Sequence, residues 1–259
     1  MARLCPLFSG SGGNSYYIGS RSAGLLIDAG RSARQLDRML QRCGIDPMAI
    51  QASSSPTSTA TTSPGCGCSP RSTASRCSLP GDAAGHAASL EGVESWVLEG
   101  PLQLAGMEVT PFATPHDSAQ SLGFRIQTAD GRQFALATDL GGGDALRAGA
   151  PAGGGVCGAG VQPRPGDAAQ RALPGYLKRR ILAGTGHLSN GDCAAFLPEL
   201  ARAGAKRFLL AHLSGENNTP SLARQEAVSA LSAAGYQEGT GFWLDVAPVE
   251  NQEGKSIIF

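Results

Sequence analysis

Four side chains able to hold a metal ion or move a proton stand where apolar runs end. Asp28 follows Leu25-Leu26-Ile27, and His116 follows the run from Met107 to Phe112 within Thr-Pro-His-Asp. Asp139 follows Phe134 to Thr138, and His212 closes Phe208-Leu209-Leu210-Ala211. Imidazole and carboxylate suit Zn, Mn or Fe, and a rigid strand end fixes their direction, so this placement is what a metal or catalytic site on a sheet rim requires. Taken one at a time, a His or Asp after a strand more often simply turns the chain or caps a helix.

Elements that would position these groups are readable from periodicity. Short strands are expected at Ser15 to Ile18 and Gly24 to Asp28, followed by a helix from Ser32 to Cys43 with Leu36, Met39, Leu40 and Cys43 on one face and Gly44 as its stop. Strands at Val93 to Leu98, Met107 to Phe112, Leu122 to Thr128 and Phe134 to Thr138 follow, the last two joined by an Asp130-Gly131 hairpin turn, so the middle reads as antiparallel sheet. Helices from Asp192 to Ala203 and Leu222 to Ala234 alternate with strands from Arg207 to His212 and Phe242 to Val246. Together these predict an α/β sandwich with helices covering the sheet faces.

Composition excludes several classes. The 259 residues carry a net charge of zero at a pI near 6.9, which gives no global electrostatic case for nucleic acid, although a local groove remains compatible. No apolar run reaches membrane-spanning length and the N-terminus lacks the pattern of a signal peptide, so a cytoplasmic protein is expected. Seven cysteines, four of them (Cys66, Cys68, Cys77, Cys157) in two anomalous stretches, give neither a disulfide framework nor a zinc knuckle. The first stretch, 52–85, has a single Leu and no Val, Ile, Met or aromatic residue; the second, 142–173, is rich in Gly, Ala, Pro and Arg and has no aromatic residue. Both read as structureless inserts, which are uncommon inside a compact domain.

The runs Phe8 to Ser15, Leu25 to Gly30, Pro115-His116-Asp117, Ala137 to Gly141, Thr185 to Asn190 and Ala211 to Pro220 resemble the metallo-β-lactamase fold, and within it the WalJ/YycJ-like branch of nuclease-like metallohydrolases. The resemblance covers about three quarters of the chain, and its most specific motif is Ala-His-Leu-Ser-Gly-Glu-Asn-Asn-Thr-Pro. It implies a single αββα domain over residues 1–259 and two divalent metal ions (Zn, Mn or Fe) that lower the pKa of a bridging water for attack on a phosphodiester. It implies His116, Asp139 and His212 as metal ligands, Asp28 as a group behind them, and His187 with Ser214, Asn217 and Asn218 on the substrate side. His187 has an equally good reading as the residue before a helix capped by Ser189 or Asn190. The loop Ser9 to Ser15 could offer backbone N–H groups to phosphate, although Ser15 stands where a Gly-x-Gly-x-x-Gly pattern needs glycine.

The family's His-x-His-x-Asp-His motif is missing. At its expected place stands Thr57-Ser58-Thr59-Ala60-Thr61-Thr62. The codons CAC GAG CAC AGC GAC CAC, for His-Glu-His-Ser-Asp-His, read one base late give ACG AGC ACA GCG ACC AC, which is Thr-Ser-Thr-Ala-Thr-Thr. Ala159 to Arg164, coded GCT GGA GTC CAA CCA CGA, shifts similarly to Leu-Glu-Ser-Asn-His. Both stretches are therefore expected to be out-of-frame translations, the alternative being a disordered Ser/Thr/Pro loop. As written, the chain is expected to bind at most one ion weakly and to be inactive or severely impaired, the intact family being a hydrolase of nucleic acid or another phosphodiester. The competing function is a noncatalytic binding or regulatory protein on the same fold. Oligomeric state is not legible.

Overall fold

Strands β1 (Arg3–Phe8), β2 (Ser15–Gly19) and β3 (Gly24–Ile27) are buried along almost their whole length, the mark of strands covered on both faces. They belong to a computed structural model that describes residues 2–54, 76–79, 94–97, 99–114, 121–138, 156–160, 188–213 and 218–258. With β4 (Ile50–Ser54), β5 (Arg76–Leu79), β6 (Glu94–Val97) and β14 (Ile257–Ile258) they form a seven-stranded sheet in the order β14-β1-β2-β3-β4-β5-β6, parallel from β3 to β6. The second sheet runs β13-β12-β11-β10-β9-β8-β7, from β7 (Leu102–Leu104), β8 (Met107–Ala113), β9 (Leu122–Thr128), β10 (Gln133–Ala137), β11 (Val156–Gly160), β12 (Arg207–Ala211) and β13 (Trp243–Val246). Its first four strands are antiparallel and its last three continue in parallel from β10.

Helix α1 (Ala33–Arg42) starts at Ser32, whose N–H is held by the Gln35 carboxamide at 3.2 Å, and it stops at Gly44 with φ of 65°. Its Leu36, Met39 and Leu40 pack on the outer face of the first sheet with Leu7, Tyr17 and Leu26. Helices α2 (Asn190–Arg202) and α3 (Pro220–Ala233) cover the second sheet through Leu197, Leu200, Ala227 and Leu231. Between the sheets lie Tyr16, Ile18, Leu25 and Ile27 from one and Val109, Phe124, Ile126 and Leu209 from the other. The result is the expected αββα order of layers. Among the described residues no helix is long and apolar enough to cross a membrane.

The two stretches read as structureless contain strands. β4 extends to Ser54, β5 pairs Cys77 with Ser53, and β11 sits between β10 and β12, pairing Cys157 with Ala135 and Phe208. A backbone flanked by two strands finds hydrogen-bond partners whatever its side chains, so weak β-propensity does not prevent pairing. The side chains of β4 nevertheless carry a cost. Ser54 Oγ is buried with no hydrogen-bond partner among the described residues, and an apolar cavity lined by Ala52, Ser53, Ser54, Val109, Phe124 and Ile126 lies between the sheets.

Candidate functional site

Residues 9–15, which link β1 to β2, tie together two strand ends that are far apart in sequence. Gly10 and Gly13 adopt φ of 150° and 120°, and a Cβ on Gly13 would lie 2.0 Å from the Gly30 carbonyl oxygen, so only glycine allows the loop this close to the end of β3. The contact is closed by the Gly30 N–H, which donates to the Asn14 carbonyl at 2.9 Å. Asp28, two residues before Gly30, is fully buried, has φ of 63°, and donates its N–H to the Ser54 carbonyl at 2.7 Å. The last described residue of β4 is thus beside Asp28.

The end of β12 joins the same loop from the other sheet. β12 stops at Ala211 because His212 takes a left-handed conformation, φ of 49°. Its N–H donates to Ser9 Oγ at 2.7 Å, and Ser9 Oγ meets the Tyr16 hydroxyl at 2.8 Å. Asn14 Nδ2 meets His212 Nδ1 at 2.5 Å, while Asn14 Oδ1 accepts from the Gly10 N–H at 3.0 Å. Arg31 lies over the Phe8 ring at 5.3 Å and against Gly12, placing a guanidinium beside the loop.

Of the residues singled out in the sequence, Asp28 and His212 come to this loop as strand-end groups. His116, Asp139, His187, Ser214 and Asn217 lie outside the described residues, as do Thr57 to Thr62. Asn218 is buried in a reciprocal amide pair with Asn190, at 3.0 and 2.7 Å, and its Oδ1 also accepts from the Thr219 N–H. That clasp joins the starts of α2 and α3. The N-cap of α2 is Ser189, which accepts from the Asp192 N–H at 3.0 Å. In the loop Ser9 to Ser15 the N–H groups of Ser9, Gly10 and Gly13 bond to Val249 O, Asn14 Oδ1 and Gly10 O. Ser9 and Asn14 were not legible as site residues, because their partner His212 is about two hundred residues away and an Asn among glycines reads as a turn.

No family model matches the chain. It is 31% identical over 139 residues to the exodeoxyribonuclease YycJ of Bacillus anthracis, covering 52% of this chain and 51% of that one. It is 40% identical over 73 residues to the exodeoxyribonuclease WalJ of Streptococcus pneumoniae, covering 28% and 27%. The chain therefore spans about half the length of the first of these relatives and about a quarter of the second. The crystal structure of Zn(2+)-bound PqqB from Methylobacterium extorquens superposes with a TM-score of 0.69 at 14% identity, over 99% of this chain and 100% of that one.

Proposed function

For a chain with the metallo-β-lactamase fold, we propose a metal-dependent phosphodiester hydrolase of the DNA-exonuclease type within the metallo-β-lactamase superfamily, a single domain acting in the cytoplasm, whose metal site is incomplete as written. One observation carries this reading. The ends of β3 and β12, with Asp28 and His212, meet at the loop Ser9 to Ser15, where Arg31 adds a cation suited to an anionic substrate. The family resemblance would add His116 and Asp139 as metal ligands beside His212, with His187, Ser214, Asn217 and Asn218 toward the substrate.

Of the residues that the resemblance gives as metal ligands, His212 is among the described residues, with Asn14 Nδ2 facing its Nδ1. The segment Thr57-Ser58-Thr59-Ala60-Thr61-Thr62, which offers no His or Asp where the family's motif has them, supports a second reading for the chain as written, a noncatalytic binding or regulatory protein on the same fold with a Ser/Thr/Pro loop. Metal analysis and digestion of end-labelled DNA with Zn or Mn separate the two. The chain as written is expected to retain at most one weakly held ion and no nuclease activity. A chain carrying His-Glu-His-Ser-Asp-His at 57–62 is expected to hold two ions and to cleave. Cleavage by neither chain would contradict the hydrolase reading.

A further inference from the structure

We propose that Cys5 and Cys43 are a reversible oxidation site, closing to a disulfide that staples β1 to the end of α1 when the chain meets a small peroxide. Three elements converge on this pair. Arg3, two residues before Cys5 and on the same face of β1, donates through its guanidinium to the carbonyls of Cys43 at 3.4 Å and Gly44 at 3.0 Å. The turn 251–255 touches both cysteines. Asn251 Nδ2 donates to Cys5 Sγ at 3.5 Å, the Cys5 thiol donates to the Lys255 carbonyl at 3.4 Å, and a Cβ on Gly254 would lie 3.6 Å from Cys43 Cα. The Cys43 thiol in turn donates to Cys5, which puts the two sulfurs in contact.

The surroundings hold the pair in place and leave one edge of it near water. Asn251 is locked by its bonds to the Lys255 carbonyl at 2.7 Å and the Lys255 N–H at 2.9 Å, and Arg42 Nε ties the same turn to α1 through the Gln252 carbonyl at 2.7 Å. Cys5 is fully buried, whereas Cys43, 6% exposed, stands between the exposed Arg42 and Gly44, an edge that a water-sized oxidant can enter. The bond from Cys43 outweighs burial and pulls the Cys5 thiol down to about 7, so a share of it is thiolate at neutral pH. That thiolate attacks a peroxide oxygen, the O–O bond breaks and hydroxide leaves, giving a Cys5 sulfenic acid. The Cys43 sulfur then attacks the Cys5 sulfur, the S–O bond breaks, and water leaves with the Cys43 proton. In sum, two thiols give up two electrons and two protons, and one hydrogen peroxide becomes two waters. A dithiol reductant reverses the step through a mixed disulfide. The bond would tie β1, which leads into the loop Ser9 to Ser15, to the helix that follows Gly30 and Arg31.

The test treats the folded full chain with hydrogen peroxide, blocks the remaining thiols and maps the products by mass spectrometry after cleavage before aspartate. That cleavage yields fragments 1–27 and 37–45, each with a single cysteine, and so separates Cys43 from Cys66 and Cys68. The expected result is a cross-link between these two fragments that dithiothreitol removes, with a urea unfolding midpoint higher by roughly 1 M while the link is closed. Cys43→Ser treated in the same way should show neither the link nor the rise. Free thiols or sulfinic acids at both positions, a link that forms only in the urea-unfolded chain, or a midpoint that fails to rise on closure would overturn the proposal. The wild-type map decides even where Cys43→Ser fails to fold. Neither readout depends on metal content or DNA cleavage, so the hydrolase reading stands or falls separately.

Discussion

At the scale of single residues, burial sets the chemistry of several side chains that the sequence presents as ordinary. Cys5 and Cys43 meet under α1, and the hydrogen bond from Cys43, with Arg3 nearby, pulls the Cys5 thiol down to about 7, while Cys43 is pushed up by the same bond. Tyr17 is fully buried, donates to the Ser20 carbonyl at 2.6 Å, and is pushed up by burial to about 12 from 10.0. The unfolded chain's tyrosine ionises first as pH rises. The stability contributed by Tyr17 is therefore whole below pH 10 and disappears as pH climbs through about 12. Urea midpoints measured from pH 9 upward should fall across that window for the wild type and fall less steeply for Tyr17→Phe; equal slopes would contradict the burial account.

At the scale of elements, the helices were legible and some strands were not. α1 announces itself by Ser32 and Gln35 at its start, Leu36, Met39 and Leu40 on one face, and Gly44 at its end. α2 and α3 start two residues earlier than their periodicity suggests, because Ser189 and Thr219 cap them by accepting from Asp192 N and Leu222 N. β5 and β11 were hidden because stretches poor in β-branched residues give no strand signal, and only their neighbours in the ladder place them. The ends of β3 and β12 were legible as the home of Asp28 and His212, but the loop that joins them was not. β4 is the element most at odds with its surroundings. Ser54 pairs across from Ile27 and opens on the cavity between the sheets, so Ser54→Val should stabilise the fold by about 1–2 kcal/mol in denaturant unfolding, by filling apolar space and removing a buried hydroxyl that has no hydrogen-bond partner among the described residues. A destabilised variant would mean that the serine belongs to the strand.

At the scale of the whole molecule, two seven-stranded sheets with helices outside build a site scaffold whose expected motif is absent from the written sequence. Four places where the motif requires His or Asp hold Thr57, Thr59, Thr61 and Thr62, and the strand leading to them ends in serine where a doubly covered strand calls for apolar side chains. The shift of reading frame proposed from the sequence would account for both, and would leave α1 with its Ser32 and Gly44 ends outside the shifted stretch. The most direct measurement is a fresh reading of the coding DNA across codons 50–95 and 140–176. A gained or lost base is expected near the edges of each stretch, with the restored frame giving His-x-His-x-Asp-His immediately after β4. DNA that confirms the written frame throughout would contradict it, and would leave a scaffold that kept its fold after losing the ligands of its metals.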